Sequence, residues 1–258
     1  MTRRHLTFAC AGATLAGTLD EAQGTAGLLL VSGGNEIRCG AFAGQAGLAA
    51  RIASEGHPVF RFDRRGVGDS EGANGGFRLS GPDIAAAVAM FRSASPDLTR
   101  IVAFGNCDAA SALMLAGGCG ADALVLSNPW TFEDNAADEA PPEAVRAHYS
   151  QRLRDPAAIR RLLTGQVSLR GLFSSLAGAL RPAPPPTGLA QDMAAGLQAY
   201  AGPVQILVAE RDRTGQAFLS AWDKSDARIR RCPDATHAYV EPHAREWLAD
   251  QVVEVLRG

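Results

Sequence analysis

The chain has 258 residues, of which 47% are hydrophobic and 20% are charged, and its net charge is −2 at pH 7. This balance is typical of a globular protein with a sizeable core, and it excludes a disordered, collagen-like or coiled-coil chain. The 25 basic residues are all arginine except Lys224, and they form no run long enough to follow a phosphate backbone, so nucleic-acid binding is not expected.

The first twenty residues predict two short strands. Residues 6–11 and 14–19 have strand-like composition and are separated by a turn near Gly12. The basic start and the apolar stretch after it also fit a secretory signal peptide, an alternative that remains open. Threonines and glycines interrupt this stretch, which favours the strands. No other stretch reaches the roughly 18 apolar residues that cross a bilayer, so no membrane span is expected.

The cysteines indicate a reducing compartment. There are five of them, at positions 10, 39, 107, 119 and 232, and no pair has Cys-x-x-Cys spacing. An odd number without this spacing argues against a disulfide framework or a zinc site. We therefore expect a cytoplasmic protein that holds no metal.

Residues 24–130 alternate apolar strands with helical stretches. Residues 27–32 are almost entirely apolar, as in a strand that is buried on both faces of a sheet. The predicted strands are 27–32, 58–63, 100–104 and 123–126, and the predicted helices are 44–55, 82–93 and 109–116. This alternation predicts an α/β fold whose mostly parallel sheet is covered by helices on both faces.

The alternation stops after Trp130. Helical pieces at 142–154, 156–163 and 169–180 precede a proline-rich stretch at 181–186, and the sheet pattern resumes at 204–209. A strand near 228–232 and a helix at 242–256 complete the chain. We expect a core of residues 1–130 and 201–258, with a helical cap at 131–200 over the carboxyl ends of the strands, where such sheets bind ligands. Trp130, where this cap begins, is a candidate substrate-binding residue.

The sequence Gly105-Asn106-Cys107-Asp108-Ala109 connects a predicted strand to a predicted helix without a loop. Such a turn strains the central residue and requires small neighbours two positions away, which Gly105 and Ala109 provide. It would point the Cys107 side chain into a cleft beside the free N–H groups of a helix, which favour negative charge. Cys107 is therefore a candidate thiolate nucleophile, and the alternative is a small buried cysteine with a packing role.

A second motif, Gly68-Asp-Ser70-Glu-Gly72, matches the Gly-x-Ser-x-Gly pattern of serine hydrolases. Four residues separate it from the preceding strand, however, and a loop follows it instead of a helix. The strand–turn–helix geometry that the motif requires is absent. We therefore expect Ser70 to be a turn residue.

A thiolate nucleophile needs an imidazole that transfers protons and an acid that orients the imidazole. His237 lies in a loop after the last predicted strand, at the same sheet edge as Cys107. Asp212 lies where the strand 204–209 ends at that edge. Glu210 is the alternative acid, because a shift of two residues would exchange the two positions.

Acyl transfer also requires donors for an oxyanion. One candidate is the backbone N–H of Asp108, which follows the nucleophile. The other lies in the turn Ser32-Gly33-Gly34-Asn35 after the strand 27–32. The choice between the Gly34 and Asn35 amides stays open.

These residues, in the order nucleophile, acid, histidine, resemble the α/β-hydrolase superfamily over nearly the whole chain. Residues 63–70 resemble its Asp-x-Arg-Gly-x-Gly-x-Ser segment, which is mainly structural there. The Ser32–Asn35 turn, the Gly105-x-Cys107-Asp108 elbow and the cap are similar to the small hydrolases of bacterial exosortase A systems. This resemblance implies that Cys107 is the nucleophile, Asp212 the acid and His237 the base.

Two positions depart from the common pattern of the superfamily. The nucleophile is a cysteine, as in dienelactone hydrolases, and Ala109 replaces the usual glycine. The resemblance implies a hydrolase that cleaves a carboxylic ester or thioester of a small-molecule acyl substrate without a cofactor. An acyltransferase and a non-catalytic binding protein with this fold are the alternatives, and monomer and homodimer both remain open.

Overall fold

The computed structural model describes residues 2–132 and 188–258. Its strands are β1 (Arg3–Cys10), β2 (Ala13–Asp20), β3 (Ala26–Val31), β4 (Val59–Phe62), β5 (Arg100–Asn106), β6 (Ala123–Ser127), β7 (Val204–Ala209) and β8 (Ile229–Cys232). They form one eight-stranded sheet in the order β1-β2-β4-β3-β5-β6-β7-β8. The six strands from β4 to β8 in this order are parallel, while β1 and β2 are antiparallel to their neighbours. The predicted α/β class and the mostly parallel sheet are confirmed.

The N-terminal residues form a hairpin at one edge of this sheet, as the sequence predicted. Cys10 pairs with Ala13, and Ala11 and Gly12 between them have φ angles of 48° and 82°. A two-residue turn with two positive φ angles matches the twist of the flanking strands.

Helices cover both faces of the sheet. They are α1 (Gly44–Ser54), α2 (Gly81–Ala94), α3 (Asp108–Leu115), α4 (Gly188–Gln198), α5 (Arg213–Ala221) and α6 (Pro242–Arg257). Side chains of α1 and α6 pack into the core on one face, and side chains of α2 to α5 pack into the core on the other.

Strand β3 contributes side chains to the core on each face of the sheet. Leu29 and Val31 point to the face of α2, while Leu28 and Leu30 point to the face of α1, and all four are fully buried. Alternate residues of a strand point to opposite faces, so a strand between two helical layers must be apolar throughout. Truncation of such a leucine to alanine costs about 2–5 kcal/mol.

The predicted cap, 131–200, falls mostly on residues 133–187, which lie outside the described residues, so its helical pieces stay predictions. The last part of the predicted cap, residues 188–200, is described. Helix α4 lies on α3 and buries Leu189, Met193 and Leu197 in the same core as Met114. This helix is therefore part of the packed core, although the prediction assigned it to the cap.

The Asp63–Ser70 segment is held as a turn. The Ser70 hydroxyl donates to the carbonyl of Asp63 at 2.7 Å and accepts from the N–H of Ala16 at 2.9 Å. The Asp63 carboxylate pairs with Arg38 and accepts the Asp69 N–H at 3.0 Å. Ser70 is thus a turn residue tied to β2, as the sequence predicted.

The parallel strands determine where loops meet. Because β3, β5, β6, β7 and β8 run in one direction, the segments that follow them emerge at one edge of the sheet. These segments contain Gly34, Cys107, Asn128, Asp212 and His237. Among residues 2–132 and 188–258, no helix has the length and apolar character needed to span a membrane.

Candidate active site

Cys107 is the single residue between β5 and α3. Its φ of 62° and ψ of −128° are unusual for a residue with a side chain and cost about 1–3 kcal/mol. A Cβ on Gly105 would lie 2.7 Å from the carbonyl carbon of Ala109, so only glycine allows this turn to close. The strained turn and its small neighbours are therefore present, as the sequence predicted, and the Cys107 side chain lines a cavity.

His237 lies opposite this turn and is oriented by Asp212. The Nδ1 atom of His237 is 2.8 Å from Oδ2 of Asp212, a carboxylate that is only 6% exposed. Asp212 is also the N-cap of α5 and accepts the N–H groups of Thr214 and Gly215 at 3.2 and 3.0 Å. Three donors therefore fix this carboxylate. Glu210, the alternative acid, is exposed to solvent.

The environment of His237 favours its protonated form. Burial lowers the pKa of the ring, but hydrogen bonds with Asp212 and Cys107, and the charges of both, raise it by more. The net effect raises the pKa of His237 from its ordinary value of 6.5 to about 10. At neutral pH the ring is therefore an imidazolium that lies between a carboxylate and a sulfur atom.

The Gly34 amide, one of the candidate oxyanion donors, already has a partner. Its N–H donates to Oδ1 of Asp108 at 2.6 Å, and the Gly34 carbonyl accepts from Arg64. Gly33 permits this approach, because a Cβ there would lie 2.6 Å from the same Oδ1. The Asn35 N–H donates to no group among the described residues. Sequence reasoning used only the Asp108 backbone and missed that its carboxylate enters this turn.

The Asp108 backbone N–H is unpaired within the described residues, as expected at the first position of a helix. Arg64 lies behind the Asp108 carboxylate and is only 3% exposed; its Nη2 is 3.8 Å from Oδ2. Three groups therefore meet at Asp108, the residue after the nucleophile candidate: its own free N–H, the occupied N–H of Gly34 and the buried guanidinium of Arg64.

A pair of asparagines, which sequence reasoning also missed, connects the loops. The Asn106 side chain donates to the carbonyl of His237 at 3.1 Å and accepts from the Asn128 side chain at 3.0 Å. The side-chain Oδ1 of Asn128 accepts the N–H of Ala209, three residues before Asp212, at 2.8 Å. This chain of hydrogen bonds ties the loops of the acid and the imidazole to the strand that carries Cys107.

Trp130, the candidate substrate-binding residue, lies near the turn but is not part of the cavity lining. Its backbone N–H donates to the carbonyl of Cys107 at 3.3 Å. Its indole packs against Phe132, with ring centroids 4.7 Å apart, and its Nε1 donates to the Phe132 carbonyl. A role in binding stays a prediction.

A cavity of about 470 Å³ opens beside Cys107 and His237. It runs along α1 and the first half of α6. Its apolar lining includes Phe42, Leu48, Phe104, Val240, Leu248 and Ala249. No cluster of three or more potential metal ligands is present in residues 2–132 and 188–258.

A family model matches residues 28–251 and describes the alpha/beta hydrolase family. The chain belongs to the alpha/beta hydrolase family. The matched region contains the Cys107 turn, Asp212 and His237, and the predicted enzyme class, a hydrolase, is confirmed at the level of the family. No curated protein sequence matches the chain.

Solved structures show how widely this alpha/beta hydrolase shares its fold. An esterase from Pyrococcus furiosus aligns with a TM-score of 0.64 and 14% identity, over 99% of this chain and 90% of the esterase. Est1E from Butyrivibrio proteoclasticus, solved with ferulic acid, aligns at 0.59 and 16% over 98% and 100%. A serine hydrolase without a lid from Xanthomonas campestris aligns at 0.60 and 13% over 100% and 94%. At these identities the likeness shows the fold alone.

Proposed function

We propose that this hydrolase cleaves a carboxylic ester or thioester through an acyl-cysteine intermediate on Cys107. The observation that carries the proposal is the Cys107 side chain on a strained strand-to-helix turn, beside a His237 ring whose other nitrogen is 2.8 Å from Asp212. A nucleophile, a base beside it and an acid that orients the base are what this kind of acyl transfer requires.

In the proposed first step, the Cys107 thiolate attacks the carbonyl carbon and a C–S bond forms. The oxyanion develops beside the helix N-terminus, where the Asp108 N–H is free to donate. The tetrahedral adduct collapses, the bond to the leaving alcohol or thiol breaks, and the His237 imidazolium gives its proton to the leaving group. A raised His237 pKa suits this role, because the ring holds that proton at neutral pH.

In the second step, the neutral His237 ring takes a proton from water as the water oxygen attacks the acyl-cysteine. The C–S bond breaks, and the carboxylic acid leaves. The thiolate and imidazolium are restored, so each turnover consumes one water and returns the site to its starting charge.

The narrower assignment to exosortase A-associated hydrolases is supported by the sequence resemblance of the 32–35 turn and the 105–108 elbow. A cytoplasmic location and a small-molecule acyl substrate are likewise proposals. The acyltransferase alternative uses the same intermediate and differs only in the acceptor, so one experiment addresses both.

The test is to trap the acyl-enzyme. Mixing the protein with nitrophenyl butyrate and quenching in acid should add one butyryl group to the intact mass, and peptide mapping should place it on Cys107. Butyrate should be the main product even with added alcohols or amines. Butyryl transfer to these acceptors would establish the acyltransferase instead, and a butyryl group mapped to a residue other than Cys107 would refute the proposed nucleophile.

The position of the Asp108 carboxylate leads to a prediction about rate. Replacing Asp108 with alanine keeps its backbone N–H but frees the Gly34 N–H and removes a negative charge beside the developing oxyanion. We expect kcat/KM for a nitrophenyl ester to rise about tenfold, since one oxyanion donor is worth roughly 100- to 1,000-fold. Stability should fall by about 0.3–1 kcal/mol, because Asp108 also favours the start of α3.

The variant Asp108→Asn is the matched control, because it removes the charge and keeps the shape. It should give a smaller increase than alanine, since its amide oxygen still accepts from Gly34. A fall in kcat/KM in both variants, with unchanged melting temperature, would show that the carboxylate assists the reaction.

A further inference from the structure

The cavity beside Cys107 extends along helix α1. Helix α1 follows β3, so it starts at the carboxyl edge of the sheet and runs toward the opposite edge. Gly44 and Gly47 lie in its first turns, and Arg51 lies one turn further along the same face. The Arg51 guanidinium is 3.3 Å from Glu246 on α6. The cavity therefore begins at the nucleophile candidate and ends where this ion pair joins the two helices.

Part of the cavity wall is apolar, and two side chains of this part are exposed. Leu48, Phe104 and Leu248 contribute buried or half-buried aliphatic and aromatic surface. Phe42 and Val240, which are 83% and 36% exposed, are two of the four large hydrophobic side chains that are exposed among the described residues. Two such side chains on one cavity indicate a surface that a ligand covers.

The backbone at the rim is strained. Phe42 and Ala43 are consecutive residues with φ angles of 52° and 56°. Residues with side chains rarely adopt this conformation, and such strain clusters at ligand sites. The conformation holds Phe42 over the cavity and away from the core.

Helix α1 leaves space on the side that faces the cavity. A Cβ on Gly44 or Gly47 would meet no atom within 4 Å. Glycine is a poorer helix former than alanine, so packing gives no reason for either residue. Besides His237, the charged side chains that line the cavity are Glu36, Arg51, Arg245 and Glu246, which sum to no net charge, and Arg51 pairs with Glu246. The space therefore suits an uncharged chain.

We propose that this cavity binds the acyl chain of the substrate, and that this chain is an aliphatic group. This inference rests on the proposed function, because it places the reacting carbonyl at Cys107. The chain lies between α1 and α6, so the leaving group departs on the other face of the sheet, the side on which Trp130 lies.

Gly47→Leu tests the proposal. A Cβ there meets no atom within 4 Å, and a leucine takes up space in the cavity and is a better helix former than glycine. With acetyl and octanoyl thioesters of N-acetylcysteamine, the ratio of octanoyl to acetyl kcat/KM should fall at least about tenfold, since a few displaced methylenes suffice for this. The control is Ala89→Leu, which adds the same side chain to the exposed face of α2, on the other side of the sheet.

A second measurement does not depend on catalysis. S-octanoyl-N-acetylcysteamine should bind to Cys107→Ala in calorimetry, and adding Gly47→Leu should weaken binding at least about tenfold, while adding Ala89→Leu should not. Equal binding in the two double variants, or an unchanged acyl-chain preference, would overturn the inference. Failure of the proposed function would be seen separately, as turnover that survives in Cys107→Ala.

Discussion

Cys107→Ala should lower kcat for nitrophenyl butyrate by about 10,000-fold or more, because it removes the atom that forms the acyl intermediate. Loss of the nucleophile in a catalytic triad removes nearly the whole contribution of the triad, since its members act as a unit. The fold should survive, because alanine is smaller than cysteine and the turn is closed by Gly105. Initial rates, with the melting temperature as a check on folding, measure the effect.

Cys119→Ala is the matched control for this variant. Cys119 is a second free cysteine in a positive-φ turn, and burial raises the pKa of its thiol to about 11, so it is protonated at neutral pH. Its loss should leave the rate within about twofold.

Ser70→Ala tests the second motif. It removes hydrogen bonds to Asp63 and Ala16, so stability should fall by about 1 kcal/mol while kcat is retained. Activity that survives in Cys107→Ala and disappears in a folded Ser70→Ala protein would assign the nucleophile to Ser70.

The fold and the Cys107 turn could be predicted because both depend on local sequence. An apolar strand that runs into a helix without a loop leaves one backbone path, and Gly105 marks where that path is tightest. The position of His237 followed from topology, since parallel strands collect their following loops at one edge. Neither inference needed a contact between distant side chains.

The remaining features depend on side-chain contacts that sequence patterns do not specify. An aspartate such as Asp108 is common at the start of a helix, and the neighbouring sequence does not indicate that its carboxylate accepts the N–H of Gly34. Asn128 reads as an ordinary residue before a proline, yet it is fully buried between Asn106 and Ala209. Helix α5 was not predicted, because Thr and Gly lie in its first turn; the signal that could have found it is Asp212 as an N-cap.

Asp212→Asn should lower kcat/KM by about 1,000- to 10,000-fold, the effect expected when the imidazole of a triad loses its orienting carboxylate. The amide is neutral, so the His237 ring would no longer be stabilised as an imidazolium in the correct orientation. Asparagine is as good an N-cap as aspartate, so α5 should keep its cap, and the loss of activity should not come from unfolding.

The same variant should change the pH dependence. The Asp212 hydrogen bond raises the His237 pKa, so its loss lowers that pKa and moves the alkaline limb of kcat/KM from near pH 10 to lower pH. A raised folded-state pKa stabilises the protein fully below pH 6.5, and this contribution is lost as the pH rises toward about 10. The difference in melting temperature between wild type and Asp212→Asn should therefore shrink over that range.

Glu210→Gln is the control that separates the two candidate acids. Glu210 lies two residues before Asp212 but is exposed, so the same change of charge there should leave kcat/KM within about twofold. A large loss in Glu210→Gln with an active Asp212→Asn would exchange their roles. If neither substitution changed the rate or the alkaline limb, the 2.8 Å contact with His237 would serve only the fold of this loop.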